Sequence, residues 1–127
     1  MRVVYSDHYD LNIGNHIFPA VKYRMTRDRL MAEGVIHGAD VAEPESATDE
    51  DVARVHEAGY IHKLKTGELD DREIMQMEVP YSPQLIRAVW LAAGGSTLAG
   101  RLALEQGASA NIGGGFHHAF PDHGEGF

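Results

Sequence analysis

The chain has 127 residues, 43% of them apolar, with 19 acidic and 11 basic side chains, a formal charge of −8 and no cysteine. This length favours one compact domain with its own core, or one large piece of a bigger domain, and the lack of cysteine excludes disulfides and cysteine-ligated metals. Binding to a phosphate backbone depends on a basic surface, so we expect no nucleic-acid partner. No apolar stretch approaches the roughly 20 residues that span a bilayer, and we expect a cytoplasmic protein with no membrane partner.

The amino-terminal part of the sequence predicts one strand and one helix. Residues 3–5 form an apolar run that ends in polar residues, as a short buried strand does. Residues 20–33 predict a helix that ends at Gly34, with Pro19 suited to its first turn. We interpret residues 37–47 as a linking loop, since a proline within it disfavours helix in the residue before it.

The middle of the chain predicts short helices. Thr48 followed by Asp51 is typical of a helix N-terminal cap. Residues 49–65 therefore predict one or two short helices, and Gly59 is expected to break them. Residues 68–78 are charged and show no clear period, so the sequence does not assign them an element.

The strongest predicted helix covers residues 83–106. Ser82 supplies a cap, Pro83 suits the first helical position, and apolar residues recur at helical spacing up to Gly107. Its interior contains Gly94-Gly95 and Gly100, which weaken a helix but allow another element to approach closely. We interpret these glycines as a tight packing face.

A glycine-rich loop follows the next predicted strand. Residues 108–112 read as a strand buried on both faces, which continues into three glycines at 113–115 and then His117-His118. This order of strands and helices predicts an α/β fold with a parallel sheet. Ligands gather at the carboxyl ends of parallel strands, where this loop must lie.

The adjacent histidines allow several interpretations. Imidazole can accept and donate protons near neutral pH, so His117 and His118 could divide the roles of base and acid. They could equally hydrogen-bond loop carbonyls and have no catalytic role. The three glycines could form a backbone nest for phosphate, although no phosphate-loop spacing follows them. A metal site formed by His117, His118 and His123 would be awkward, because consecutive residues of an extended chain point to opposite sides.

The segment around these histidines resembles the active-site segment of the histone deacetylase superfamily, which includes bacterial acetoin-utilisation-type and polyamine deacetylases. Phe18-Pro19 followed by Lys22-Tyr23, and three glycines before Phe116, are similar to its class IV branch. The stretches that carry the resemblance are Asn111–Ala119, Gly124–Phe127, Val3–Ser6, His16–Pro19, Ala53–His56 with Tyr60, Gly94–Thr97 and Ala99-Gly100.

The resemblance implies roles for matching residues. His117 would be the general base toward a zinc-bound water, and His118 an electrostatic partner or general acid. Gly126 and Phe127 would line a narrow channel for an acyl-lysine side chain, with Phe116 packed beneath them. The family's zinc ligands, an Asp-x-His pair and a further Asp on later strands, have no counterpart in this sequence. We therefore expect no metal ligand among these residues and no zinc bound to this chain alone.

The resemblance also implies a fold and a function. Residues 1–127 would be the amino-terminal part of a single arginase-like, three-layer αβα domain, with its parallel sheet truncated. The intact protein would be a zinc-dependent hydrolase of acetyl-lysine or acetylated amines, and this chain would be inactive alone. We expect the surfaces exposed by truncation to make it a homo-oligomer. The alternative from another class is a noncatalytic α/β binding or assembly module.

Overall fold

The computed structural model of the protein describes residues 1–11, 13–115 and 117–126. Among these residues a strand, a helix and a second strand come first, four successive helices follow, and three successive strands come last; 3-10 helices lie at Asp7–Tyr9 and Gly38–Asp40. The helices are α1 (Lys22–Ala32), α2 (Asp49–Val52), α3 (Ala58–Thr66), α4 (Asp71–Met77) and α5 (Pro83–Gln106). The strands are β1 (Val3–Val4), β2 (Val41–Ala42), β3 (Ala110–Asn111), β4 (His118–Ala119) and β5 (Gly124–Glu125).

The central sheet has the strand order β2-β1-β3, and both pairings are parallel. Val3 is opposite Val41 and Ala110 in the register, so β1 is the inner strand. The predicted α/β fold with a parallel sheet flanked by helices is confirmed. The prediction that β3 is buried on both faces is wrong, because Ala110 is exposed and β3 pairs with β1 alone within the described residues.

The predicted loop at residues 37–47 contains a strand that the sequence did not indicate. Val41–Ala42 forms β2, and the Tyr5 amide donates to the Ala42 carbonyl at 3.1 Å. A two-residue strand is too short for the alternation that marks a strand in sequence. Its pairing with β1 creates the element, so this part of the loop prediction is wrong.

The predicted cap at Thr48 is confirmed by reciprocal hydrogen bonds. The Asp51 amide donates to the Thr48 hydroxyl, and the Thr48 amide donates to the Asp51 carboxylate. The prediction that Gly59 breaks the helices is wrong, because Gly59 lies in the first turn of α3. The amide groups of a first turn have no intrahelical acceptors, so a glycine there disrupts no intrahelical hydrogen bond of its own amide. The break lies at residues 53–57, where the Glu57 amide donates instead to the Pro121 carbonyl at 2.7 Å.

Residues 68–78, which the sequence did not assign, contain α4. Asp70 and Glu73 form a capping box at its start, with the Glu73 amide 2.8 Å from the Asp70 carboxylate. At its end Glu78 adopts left-handed backbone angles, with φ of 59°. The four residues of that box give the only clear signal for α4 in the sequence.

The helix predicted over 20–33 is confirmed with a later start. α1 begins at Lys22, and Gly34 follows its end with φ of +69°, a conformation that glycine adopts without steric cost. No helix among the described residues is long and apolar enough to cross a membrane.

The longest helix, α5, has the predicted bounds, and two of its three interior glycines form the predicted packing face. The Ser82 hydroxyl accepts from the Leu85 amide at 3.0 Å, and the helix ends before Gly107. A Cβ at Gly94 would overlap the Glu45 carbonyl oxygen, and one at Gly95 would overlap the Tyr9 hydroxyl. Gly100 is different, because a Cβ there meets nothing within 4 Å. The glycine pair is therefore required by packing, whereas the third glycine is not.

The main core lies between α5, the turn after β1 and helices α3 and α4. It is rich in tyrosine as well as aliphatic side chains. Its most enclosed members, each at most 2% exposed, are Tyr9, Leu11, Val79 and Leu85.

These glycine environments predict opposite effects of two identical substitutions in one helix. Gly94→Ala should lower the free energy of unfolding by about 1–3 kcal/mol, because the added methyl group must displace the chain at Glu45. Gly100→Ala should raise it by about 0.5–1 kcal/mol through helix propensity alone. Urea unfolding of both variants measures the difference. Equal effects at the two positions would contradict this account of the packing.

Candidate active site

The glycine-rich loop is fixed to the rest of the fold through Asn111, the last residue of β3. The Tyr9 hydroxyl donates to the Asn111 side-chain oxygen at 2.9 Å, and the Gly113 amide donates to the same oxygen at 3.2 Å. The Asn111 side-chain nitrogen donates to the Ala92 carbonyl at 3.0 Å and to the Ser96 hydroxyl at 3.2 Å. One amide side chain thus connects the loop, α5 and the turn after β1.

Tyr9 also explains why two of the neighbouring residues are glycines. Its ring fills the space that a Cβ at Gly113 would occupy, and its hydroxyl fills the space beside Gly95. Burial raises the pKa of Tyr9 well above its ordinary value, with a further rise from Glu43. The phenol therefore remains a hydrogen-bond donor to Asn111 at any physiological pH. Tyr23 adds a longer contact, with its hydroxyl 3.5 Å from the Gly114 carbonyl.

His117 lies half-buried directly after the loop, and α4 determines the orientation of its ring. Its Nε2 is 2.8 Å from the Met77 carbonyl oxygen. A carbonyl can only accept, so Nε2 carries the proton and Nδ1 carries the lone pair of the neutral ring. Burial lowers the pKa of His117 below its ordinary 6.5, against opposing contributions from the Met77 carbonyl and Glu78. The neutral, proton-accepting form is therefore favoured.

His118 has a different environment although it is adjacent in sequence. It is exposed on β4, opposite Glu125 of β5 in an antiparallel pair. Gly126 packs against its ring, since a Cβ there would lie 2.8 Å from His118 Cδ2, and its φ is +66°. The other glycine of this hairpin, Gly124, lies beside His117, with the position of its Cβ 3.5 Å from Nδ1. The predicted substrate residue Gly126 therefore adjoins the second histidine.

A largely apolar cleft of about 370 Å³ lies in front of His117. Tyr60 lines this cleft, its hydroxyl hydrogen-bonds the Gly124 backbone, and burial raises the pKa of this phenol. The cleft joins one face of α5 to α2, α3 and the loop. Its lining includes Val52, Tyr60, Leu64, Ile86, Val89 and His117.

The β4–β5 hairpin is held against the turn between α2 and α3. His56 Nδ1 is 2.7 Å from the Phe120 carbonyl, so this ring donates from Nδ1. The Phe120 and His123 rings stack at 4.3 Å between centroids. His56, which its sequence position does not distinguish from a surface residue, thus anchors the hairpin that carries His118.

The structure bears on two of the alternatives that the sequence leaves open, the phosphate nest and the metal site. The Gly113 amide bonds Asn111, which removes it from a phosphate nest. His123 pairs with Asp122 at 2.8 Å, and within the described ranges no group of three His, Cys, Asp or Glu side chains could hold a metal ion. Phe116 and Phe127, two of the predicted substrate residues, lie outside the described residues.

Sequence reasoning missed the three groups that orient this site. These are the Tyr9 phenol, the Asn111 side chain and the Met77 carbonyl. Asn111 lies two residues before the first glycine, and an amide at a strand end is the one local signal that could have indicated a loop anchor. Tyr9 is separated from Asn111 by 102 positions, so no local pattern reveals their contact.

The tyrosine contact predicts a measurable loss of stability. Tyr9→Phe should lower the free energy of unfolding by about 1 kcal/mol, because it removes a buried donor from Asn111 and keeps the ring. Tyr5→Phe is the matched control, since the Tyr5 hydroxyl donates to the exposed Asp7 carboxylate at 2.9 Å and its loss should cost less. Chemical unfolding of both variants gives the comparison. A larger loss of stability at Tyr5 would contradict the role given to the hydrogen bond between Tyr9 and Asn111.

The lowered pKa of His117 predicts a pH dependence of stability. The unfolded chain has the ordinary His pKa of 6.5, so it takes up a proton first as the pH falls through that value. The free energy of unfolding should therefore fall with acidification until the lower folded-state pKa is passed. His117→Gln should weaken this dependence between pH 8 and pH 5. Parallel curves for wild type and His117→Gln would contradict the prediction.

Comparison with known proteins places the chain in a family. Residues 16–127 match the model of the histone deacetylase domain. The chain is 35% identical over 126 residues to an uncharacterized protein of the cyanobacterium Picosynechococcus sp.. It is 31% identical over 135 residues to Histone deacetylase 2 of Arabidopsis thaliana and 29% identical over 144 residues to a histone deacetylase of Drosophila melanogaster.

These alignments use nearly the whole chain but only part of each relative. They cover 98%, 98% and 99% of this chain, against 42%, 35% and 27% of the cyanobacterial, plant and insect proteins. The chain therefore spans less than half the length of these relatives. The domain match includes the loop, both histidines and the hairpin described above. This chain belongs to the histone deacetylase family.

Proposed function

We propose that the intact protein is a zinc-dependent deacetylase acting on acetyl-lysine or acetylated amines, and that this chain supplies the histidine-bearing part of its site. The observation that carries the proposal is the position of His117, whose half-buried imidazole forms part of the wall of an apolar cleft directly after the family's glycine loop. A small acyl group is apolar, and hydrolysis of the amide bond that holds it needs a base to activate water. The cleft and the imidazole together offer both.

His117 is proposed as the general base and His118 as an electrostatic partner or acid. Burial keeps the His117 pKa low, so its ring is neutral and can accept a proton from an attacking water. The role of His118 follows from the resemblance alone, and the ring is exposed on the adjoining hairpin. Gly126 packs against the His118 ring, and the resemblance implies that it lines the channel for the acyl-lysine side chain.

Zinc dependence rests on the family and not on residues described here. Among residues 1–11, 13–115 and 117–126, no group of three potential ligands could hold a metal ion. These residues therefore do not fit a zinc site by themselves. We propose that the ligands belong to other parts of the intact protein and that this chain alone is inactive.

A chimera tests the proposed function. The matched segment of the Arabidopsis histone deacetylase is replaced by this chain, and turnover of a fluorogenic acetyl-lysine substrate is measured with its zinc content. The chimera should turn over the substrate, and His117→Ala should lower kcat by about 10²- to 10⁴-fold, the usual contribution of a general base. His62→Ala, on an exposed part of α3, should leave turnover unchanged.

Two results would contradict the proposal. Turnover by the isolated chain in the presence of a chelator would show that it needs neither zinc nor further residues. Full activity of His117→Ala in a folded, zinc-loaded chimera would show that His117 is not the general base.

The second candidate, a noncatalytic assembly module, is favoured by the open edge of the sheet. Within the described part of the chain β3 pairs on one side alone, and the apolar cleft lies nearby. Unpaired strand edges and apolar surfaces invite association. On this reading the isolated chain forms a homo-oligomer, which light scattering would detect, and a monodisperse monomer would count against it.

A further inference from the structure

The outer face of α1 is apolar although it faces solvent. Val21, Met25 and Ala32 recur at helical spacing, and Val21 already has helical backbone angles, so the three share one face. Val21 is 44% exposed, Met25 is 62% exposed, and Ala32 is exposed as well. We call these three residues the outer stripe. Contiguous exposed apolar surface is typical of an interaction site.

The outer stripe faces solvent because contacts on the opposite side of α1 fix the helix. Tyr23 is the one buried residue of α1, and its ring lies 6.3 Å from the Tyr9 ring, edge to face. The Arg27 guanidinium lies 4.7 Å from the Tyr5 ring. Five of the ten large apolar side chains exposed in the described part of the chain lie in this region: Ile17, Val21, Met25, Met31 and Val35.

The charge of α1 is opposite to that of the chain as a whole. Residues 22–33 carry four basic and two acidic side chains, in a chain whose formal charge is −8. Helical geometry places Arg24 on one side of the outer stripe and Arg29 on the other. Arg29 pairs with Glu33, whereas Arg24 is exposed and has no ion pair within the described ranges. The outer stripe with its basic flanks therefore favours a partner surface that is acidic and partly apolar.

A surface of that kind lies on the same chain, at the first turn of α2. Residues 38–53 carry six acidic side chains and no basic one. Two carboxylates of the α2 turn are bound within the chain, but Glu50 is exposed and has no ion pair among the residues described. Val55 lies just beyond α2 and is 55% exposed. The α2 turn thus combines apolar surface with the charge opposite to that of α1.

We propose that the outer stripe of one copy of this chain packs against the α2 turn of a second copy. The contact pairs opposite charges and covers apolar side chains on both sides. It is head-to-tail, because two outer stripes in contact would bring the basic side chains of both helices together. This interface is separate from the open edge of the sheet, and it does not depend on the proposed deacetylase function.

Sedimentation equilibrium of this chain tests the contact. The weight-average mass should rise above the 13.9 kDa of one copy as the concentration increases. The midpoint concentration of association should rise about tenfold between about 0.01 M and about 0.1 M salt, because the Debye length falls from about 30 Å to about 10 Å. A chain that is still monomeric at about 1 mM in low salt would overturn the proposal.

Two single variants each block one half of the contact. Met25→Glu places a charge in the outer stripe, and Glu50→Lys reverses a charge of the α2 turn, so each should raise the midpoint concentration at least about tenfold. Mixed in equal amounts, the two variants should form a 1:1 complex, because each retains the half that the other lacks. Leu104→Glu, at an apolar side chain of α5 that is 90% exposed, is the matched control and should associate like the wild type.

Arg24→Glu is a second block of the α1 half should Met25→Glu not fold, which circular dichroism shows. Unchanged association of Glu50→Lys would indicate two α1 helices in contact and overturn the head-to-tail proposal. Association that neither α1 variant weakens would belong to another surface, such as the sheet edge, and would overturn it as well. Because no readout involves turnover, this proposal and the proposed function can fail independently.

Discussion

The insertion of Tyr9 between α5 and the glycine loop is the constraint on which the candidate site depends. Its ring occupies the space beside Gly113, and its hydroxyl bonds Asn111 and lies against Gly95. A side chain larger than hydrogen at either glycine would push the loop off the helix. Because β3 leads directly into this loop, the same contact determines where His117 leaves the sheet.

Most of the local structure could be predicted because its causes are local. The caps at Thr48 and Ser82 and the glycine after α1 act within four residues of the helix ends they determine. Strand β2 could not be predicted, since Val41–Ala42 becomes a strand only by pairing with β1. Gly59 shows the converse error, because a residue that breaks helices in general is tolerated in a first turn.

The candidate site was predictable in its residues and not in its geometry. Adjacent histidines after three glycines identified the segment, but the partner of His117, the Met77 carbonyl, lies 40 positions away in sequence. The packing glycines show the same limit. Gly94 and Gly100 have the same sequence signature, and only the loop at Glu45 crossing the first of them makes the two different.

The different environments of the two histidines follow from strand geometry. Successive side chains of an extended segment point to opposite sides, so His117 turns inward to the end of α4 while His118 faces solvent on β4. Burial then favours the neutral ring of His117, and its carbonyl partner leaves Nδ1 as the basic atom. A pair of identical side chains thereby acquires two distinct chemical properties without any further residue between them.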